Sequence, residues 1–97
     1  MVEELKFLDL ESERLAAMLK ALAHPVRLEI VQVLSASGDA NCVDFTRHAG
    51  LAQSTISEHL KVLKEAGLIK QCGPGPRSGY CIDKAGLVWM KQAMVAL

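Results

Sequence analysis

Two groups of residues in this chain of 97 have types and spacings that can do chemistry. The first is the run Gln53-Ser54-Thr55-Ile56-Ser57-Glu58-His59-Leu60-Lys61-Val62-Leu63-Lys64. Gln53, Ser54, Thr55, Ser57 and His59 carry amide, hydroxyl or imidazole groups suited to base edges and phosphates. Lys61 and Lys64 add charges that hold a phosphate backbone without reading sequence, and Arg77 can add another from a later turn. The second group is Cys42, Cys72 and Cys81. Three cysteines are too few and too odd in number for a secreted disulfide framework. They remain open to three readings: small buried hydrophobes, redox- or persulfide-responsive thiols, or ligands for As(III) or Zn(II). No Gly-rich phosphate loop, HExxH or nucleophile elbow occurs, and no Ser/His/Asp set follows from spacing, so an enzyme is not expected.

These residues need elements to position them. Leu8, Leu15, Met18, Leu19 and Leu22 recur at helical spacing, which predicts a first helix from about Val2 to Ala23. It must stop before His24-Pro25, because a residue preceding proline is pushed out of the helical region. Pro25 then suits the first turn of a second helix, with His24 expected as a capping or packing group. Ser35-Ala36-Ser37-Gly38-Asp39 signals a loop, and a short helix is expected over about Val43–Ala49, stopped by Gly50. In the next helix Ile56, Leu60 and Leu63 form an inner face, and Gly67 supplies a left-handed cap.

Leu68–Cys72 and Gly79–Asp83 read as short strands around the turn Gly73-Pro74-Gly75-Pro76-Arg77-Ser78. With a six-residue loop, Cys72 faces Gly79 and lies diagonal to Cys81 on one face, about 7–8 Å away. Another register sets the two cysteines opposite each other, close enough for a disulfide or a shared ligand, and a third puts them on opposite faces. The tail 84–97 is apolar nearly all round and needs a covering surface.

Composition sets the frame. A chain that is 51% apolar and 23% charged is globular rather than disordered, and its length allows one domain. Charge is balanced at 11 basic and 11 acidic residues, which argues against a polybasic non-specific binder. It is nonetheless polarised: residues 1–40 hold seven acids and four bases, residues 41–84 six bases and four acids. No run approaches the ~18–20 apolar residues of a membrane span. The start Met1-Val2-Glu3-Glu4 lacks the basic opening of a signal peptide, so a cytoplasmic protein is the expectation.

Two short helices joined by a glycine-containing turn, then a hairpin, are the order of a winged helix-turn-helix. Here the chain resembles the ArsR/SmtB-type family of bacterial repressors. The resemblance is carried by Leu19-Lys20-Ala21-Leu22-Ala23-His24-Pro25-Val26-Arg27-Leu28-Glu29-Ile30 and by Gln53 through Ile69. It implies a mainly α fold with a small β-hairpin, about five helices plus a two-stranded wing, in a single domain over 1–97. Within it, 43–66 would be the helix-turn-helix, 68–83 the wing, and 1–23 with 84–97 the dimerisation helices.

The resemblance further implies a homodimeric repressor that binds double-stranded operator DNA and is released by an inducer. Gln53, Ser54, Thr55, Ser57 and His59 are then the recognition residues. Leu15, Met18, Leu87, Trp89, Met90 and Met94 become the expected dimer interface. Glu58 stands where relatives often carry a basic or amide residue, so the usual operator does not transfer. A known metal site of the family needs a Cys-x-Cys pair, but its positions here are Asn41 and Val43, flanking Cys42. A second uses Asp and His ligands along the last helix, and 84–97 contains neither. No metal is expected at either place; the three thiols remain as a metalloid alternative. The competing reading is a winged-helix protein-interaction module without operator binding, consistent with zero net charge and Glu58.

Overall fold

Pro25 divides the first third of the chain. The computed structural model describes residues 10–37, 52–72 and 79–97, and within them α1 (Leu10–Leu22) and α2 (Pro25–Ser37) meet at that proline. Glu11 and Glu13 in the first turn of α1 and Lys20 in its last match the helix dipole. His24 starts α2: its Nδ1 accepts from the Val26 N–H at 3.1 Å and its carbonyl from the Leu28 N–H at 2.9 Å. The capping role expected of His24 is the one it plays.

Helix α3 (Gln53–Glu65) buries Ile56, Leu60 and Leu63 at spacings of four and three. It ends at Gly67, whose φ of +84° only glycine adopts freely. The Gly67 N–H donates to Lys64 O at 3.0 Å and the Leu68 N–H to Leu63 O at 3.1 Å, which together satisfy the last carbonyls and reverse the chain. Strands β1 (Ile69–Gln71) and β2 (Tyr80–Ile82) then pair antiparallel, Ile69 with Ile82, Lys70 with Cys81 and Gln71 with Tyr80. Cys72 N–H to Gly79 O (2.8 Å) and Asp83 N–H to Leu68 O (3.0 Å) continue the ladder at either end.

Helix α4 (Lys84–Val95) is capped by Asp83, whose Oδ1 accepts from the Gly86 N–H at 3.1 Å. Gly86 has a second duty. A Cβ there would sit 1.9 Å from the Gly67 carbonyl oxygen, so the absence of a side chain lets α4 lie directly on the turn after α3. The core gathers where the four helices and the hairpin converge, with Met18, Leu34, Ile56, Leu63, Leu68 and Ile69 fully enclosed. Each of these contributes roughly 1.5–3 kcal/mol by leaving water.

One sequence expectation changes here, and two others fall on residues outside those described. Four helices stand among the described residues rather than about five, since the segment expected as a short helix at 43–49 lies outside them. The first helix is described only from Leu10, not from Val2. Met18 and Met90, expected at a subunit interface, are 0% and 4% exposed and fill the core of a single chain. Periodicity marks an apolar face without saying what covers it.

Candidate nucleic-acid interface

The site begins with the inner face of α3. With Ile56, Leu60 and Leu63 anchored in the core, the remaining positions turn outward by default. Gln53, Ser54, Thr55, Ser57, Lys61 and Lys64 are all exposed. At about 100° per residue, Gln53, Ser54, Ser57, Lys61 and Lys64 fall within one arc of roughly 100°. Thr55 lies on the other flank of the helix. Glu58 and Glu65 are exposed and border the basic arc, so the face carries both signs. Ala52, the residue before α3, is extended and gives no side-chain cap to the first turn, whose early N–H groups therefore start without a side-chain acceptor from that position.

His59 parts company with the others. Its ring packs against His24 at 4.5 Å between centroids, tilted by 51°. Its Nδ1 is buried without a hydrogen-bond partner, as is Nε of Arg27 nearby, while Arg27 Nη1 donates to Ala21 O at 3.4 Å. Burial, then the charges of His24 and Arg27, hold the His59 imidazole below its ordinary value of 6.5, with Glu58 opposing. His59 thus joins α3 to the α1–α2 junction through a ring whose charged form is disfavoured. Sequence marked the residue but not its direction, because its helical position lies beside the inner face and a neighbour from another element decides.

Of the remaining residues singled out by sequence, Arg77 and Cys42 lie outside the described residues. Cys72 and Cys81 are brought together, with 2.9 Å between their sulfurs. The register is the first of the three considered, with Cys72 facing Gly79. Cys72 is disulfide-bonded and Cys81 is a free, buried thiol. Among the described residues no group of three or more His, Cys, Asp or Glu side chains is placed to hold a metal.

Helices α1 and α4 flank a cavity of about 360 Å³ lined by Leu15, Trp89, Ala93, Ala96 and Leu97 with Glu11, Ser12 and Gln92. Arg14 lies over the Trp89 ring at 4.0 Å. Leu15, Leu87 and Trp89 are half-buried, and Met94 is exposed together with Leu10, Val88, Val95 and Leu97. Val88, Val95 and Leu97 belong to the apolar tail expected to need a cover, whereas Leu10 was not singled out by sequence.

Comparison with known proteins agrees with this architecture. Residues 22–72 match a family described as "Helix-turn-helix domain". The chain is 39% identical over 79 residues to the HTH-type transcriptional regulator YgaV of Escherichia coli, covering 81% of this chain and 80% of that one. It is 31% identical over 80 residues to the arsenical resistance operon repressor of Staphylococcus xylosus, covering 82% and 76%. Its fold matches that of an ArsR-like transcriptional regulator from Rhodococcus sp. RHA1 with a TM-score of 0.69 at 21% identity, covering 87% of this chain and 78% of the other.

Proposed function

Because this chain belongs to the ArsR-type winged helix-turn-helix regulators, a family of DNA-binding transcriptional repressors, we propose that it works as a homodimer whose α3 helices enter successive major grooves of an operator. The observation that carries the reading is the exposed arc of Gln53, Ser54, Ser57, Lys61 and Lys64, backed by a fully buried Ile56 and Leu63. Gln53 and Ser57 are short enough to meet base edges, and Lys61 and Lys64 meet phosphates. Thr55 contributes from the flank and Arg77 from the wing. His59 acts indirectly, by fixing the angle of α3 against His24.

The exposed apolar residues of α4, with Leu10 and the groove between α1 and α4, support a second copy of the chain as the cover. Leu15, Leu87, Trp89 and Met94 take part at its edge. The repressor operates in the cytoplasm; no described helix is long and apolar enough to cross a membrane. Its inducer acts on thiols, as an oxidant, a persulfide or As(III), and the contact between Cys72 and Cys81 supports that choice.

The test uses duplexes selected from a random-sequence pool by the reduced protein, followed by fluorescence anisotropy. Selected duplexes bind with an affinity that falls steeply with salt. Gln53→Ala and Ser57→Ala lose discrimination between selected and scrambled duplexes while keeping wild-type circular dichroism. Failure of the pool to enrich would remove the DNA-binding reading of this arc. Light scattering tests the dimer: wild type runs as two chains and Val88→Glu as one.

A further inference from the structure

A second cavity, of about 430 Å³, lies where α1, α2 and α3 meet. Its apolar walls are Ala17, Ala21, Val62 and Ala66, and its polar lining is Lys20, Arg27 and Glu65. Ala21 is buried, Arg27, Val62 and Ala66 are half-buried, and Ala17, Lys20 and Glu65 are exposed and form the mouth. The volume falls within the roughly 300–1,000 Å³ of small-molecule sites, and side chains this small leave the space open.

Two observations give the cavity a chemistry. The first is unmet hydrogen-bonding demand. A guanidinium has five N–H donors, yet Arg27 makes one long bond, from Nη1 to Ala21 O at 3.4 Å, and its Nε is buried with no partner. Neither Arg27 nor Lys20 is paired with a carboxylate among the described residues. The second is charge. Two cations and Glu65 leave the cavity with one positive charge, which a single anion neutralises and a dianion oversupplies. A duplex phosphate is not the natural match, because Val62 and Ala66 stand roughly 130–170° around α3 from the centre of its exposed arc.

We propose that this cavity binds a small organic monocarboxylate, its carboxylate held by Arg27 and Lys20 and its hydrocarbon body lying on Ala17, Ala21, Val62 and Ala66. The planar guanidinium suits the two oxygens of a carboxylate, and Lys20 adds charge from the mouth. Glu65 turns away a second negative group. An occupant touches α1, α2 and α3 at once, so it biases how α3 is held. That consequence for DNA rests on the operator-binding reading above; the site itself does not.

The two are tested separately. The full chain is titrated with benzoate, octanoate, benzamide and succinate, followed by calorimetry and amide NMR. Benzoate and octanoate are expected to bind saturably, shifting the amides of Ala17, Ala21, Val62 and Ala66. Benzamide, which lacks the charge, and succinate, which doubles it, bind about tenfold more weakly or worse. Arg27→Gln and the exposed Lys20→Gln each weaken benzoate, Arg27→Gln by about tenfold or more. Glu65→Gln admits succinate, and Ala17→Phe, which keeps every charge but fills the mouth, abolishes binding with circular dichroism unchanged. No saturable binding of either monocarboxylate at millimolar concentration, equal binding of benzamide, or shifts confined to the groove between α1 and α4 would overturn the proposal. So would Arg27→Gln weakening all duplexes alike while benzoate fails to bind wild type, which would make Arg27 a phosphate contact. Benzoate binding by a protein that enriches no duplex would leave the site standing and remove the operator reading.

Discussion

Replacing Gly86 by alanine sets two physical effects against each other. Inside a helix the change gains about 1 kcal/mol of backbone propensity, so local reasoning makes it stabilising. Packing reverses the sign. The new Cβ would lie 1.9 Å from the Gly67 carbonyl oxygen and 3.1 Å from its carbon, and both are backbone atoms that no rotamer can move aside. To reach an ordinary contact of 3.4 Å, α4 withdraws by about 1.5 Å, loosening Met90 in the core and the Asp83 cap on the Gly86 N–H. Overpacking of this kind costs about 1–3 kcal/mol or more, and a weakened cap about 1 kcal/mol. The net is a loss of about 1–3 kcal/mol, which in a domain of this size lowers Tm by about 5–20 °C. Thermal melts followed by circular dichroism at one fixed protein concentration measure it, since subunit association also moves Tm. A Tm equal to or above wild type would mean that α4 does not rest on Gly67.

Three further outcomes follow from the site. His59 is held below its ordinary value of 6.5, so the unfolded chain takes up a proton there before the folded one does. Stability is therefore full above about pH 6.5 and falls as the pH drops toward the folded value; His59→Gln flattens that part of a urea-denaturation profile, and an unchanged slope would show that His59 is not the group responsible. Lys61→Ala weakens binding to selected and scrambled duplexes alike and lowers the salt slope by about 1, whereas a change confined to the selected duplex would make Lys61 a base reader. Asp83→Ala removes the acceptor for the Gly86 N–H and lowers stability by about 1 kcal/mol in urea denaturation; no change would show that water serves the first turn of α4 equally well.

Much of this architecture is legible from local signals. His24-Pro25 marks the junction of α1 and α2, Ile56, Leu60 and Leu63 mark the buried stripe of α3, and Gly67 marks its end, each through short-range constraints. The observed wing register is one of three that the sequence leaves open, and strand pairing selects it. The exposed arc of α3 is legible because an amphipathic helix leaves its polar residues outside. What sequence withholds depends on contacts distant in the chain. Met18 and Met90 look equally suited to a core or to an interface until α1 and α4 are placed. His59 reads as a groove-facing donor until His24 arrives beside it. Nothing local distinguishes Gly86 as the point where one helix rests on another's turn, and nothing local brings the sulfurs of two diagonal cysteines into contact.

The division of α3 into an anchored stripe and an exposed arc bears on how such a protein acquires new targets. Ile56, Leu60 and Leu63 hold the helix in place whatever stands at Gln53, Ser54 and Ser57. Substitutions at exposed positions without other duties change folding free energy by no more than about 0.5 kcal/mol. After gene duplication, a copy can therefore wander through many arcs, and so through many operators, without passing through an unfolded intermediate. Its repertoire is limited by what the groove will accept rather than by what the scaffold will tolerate.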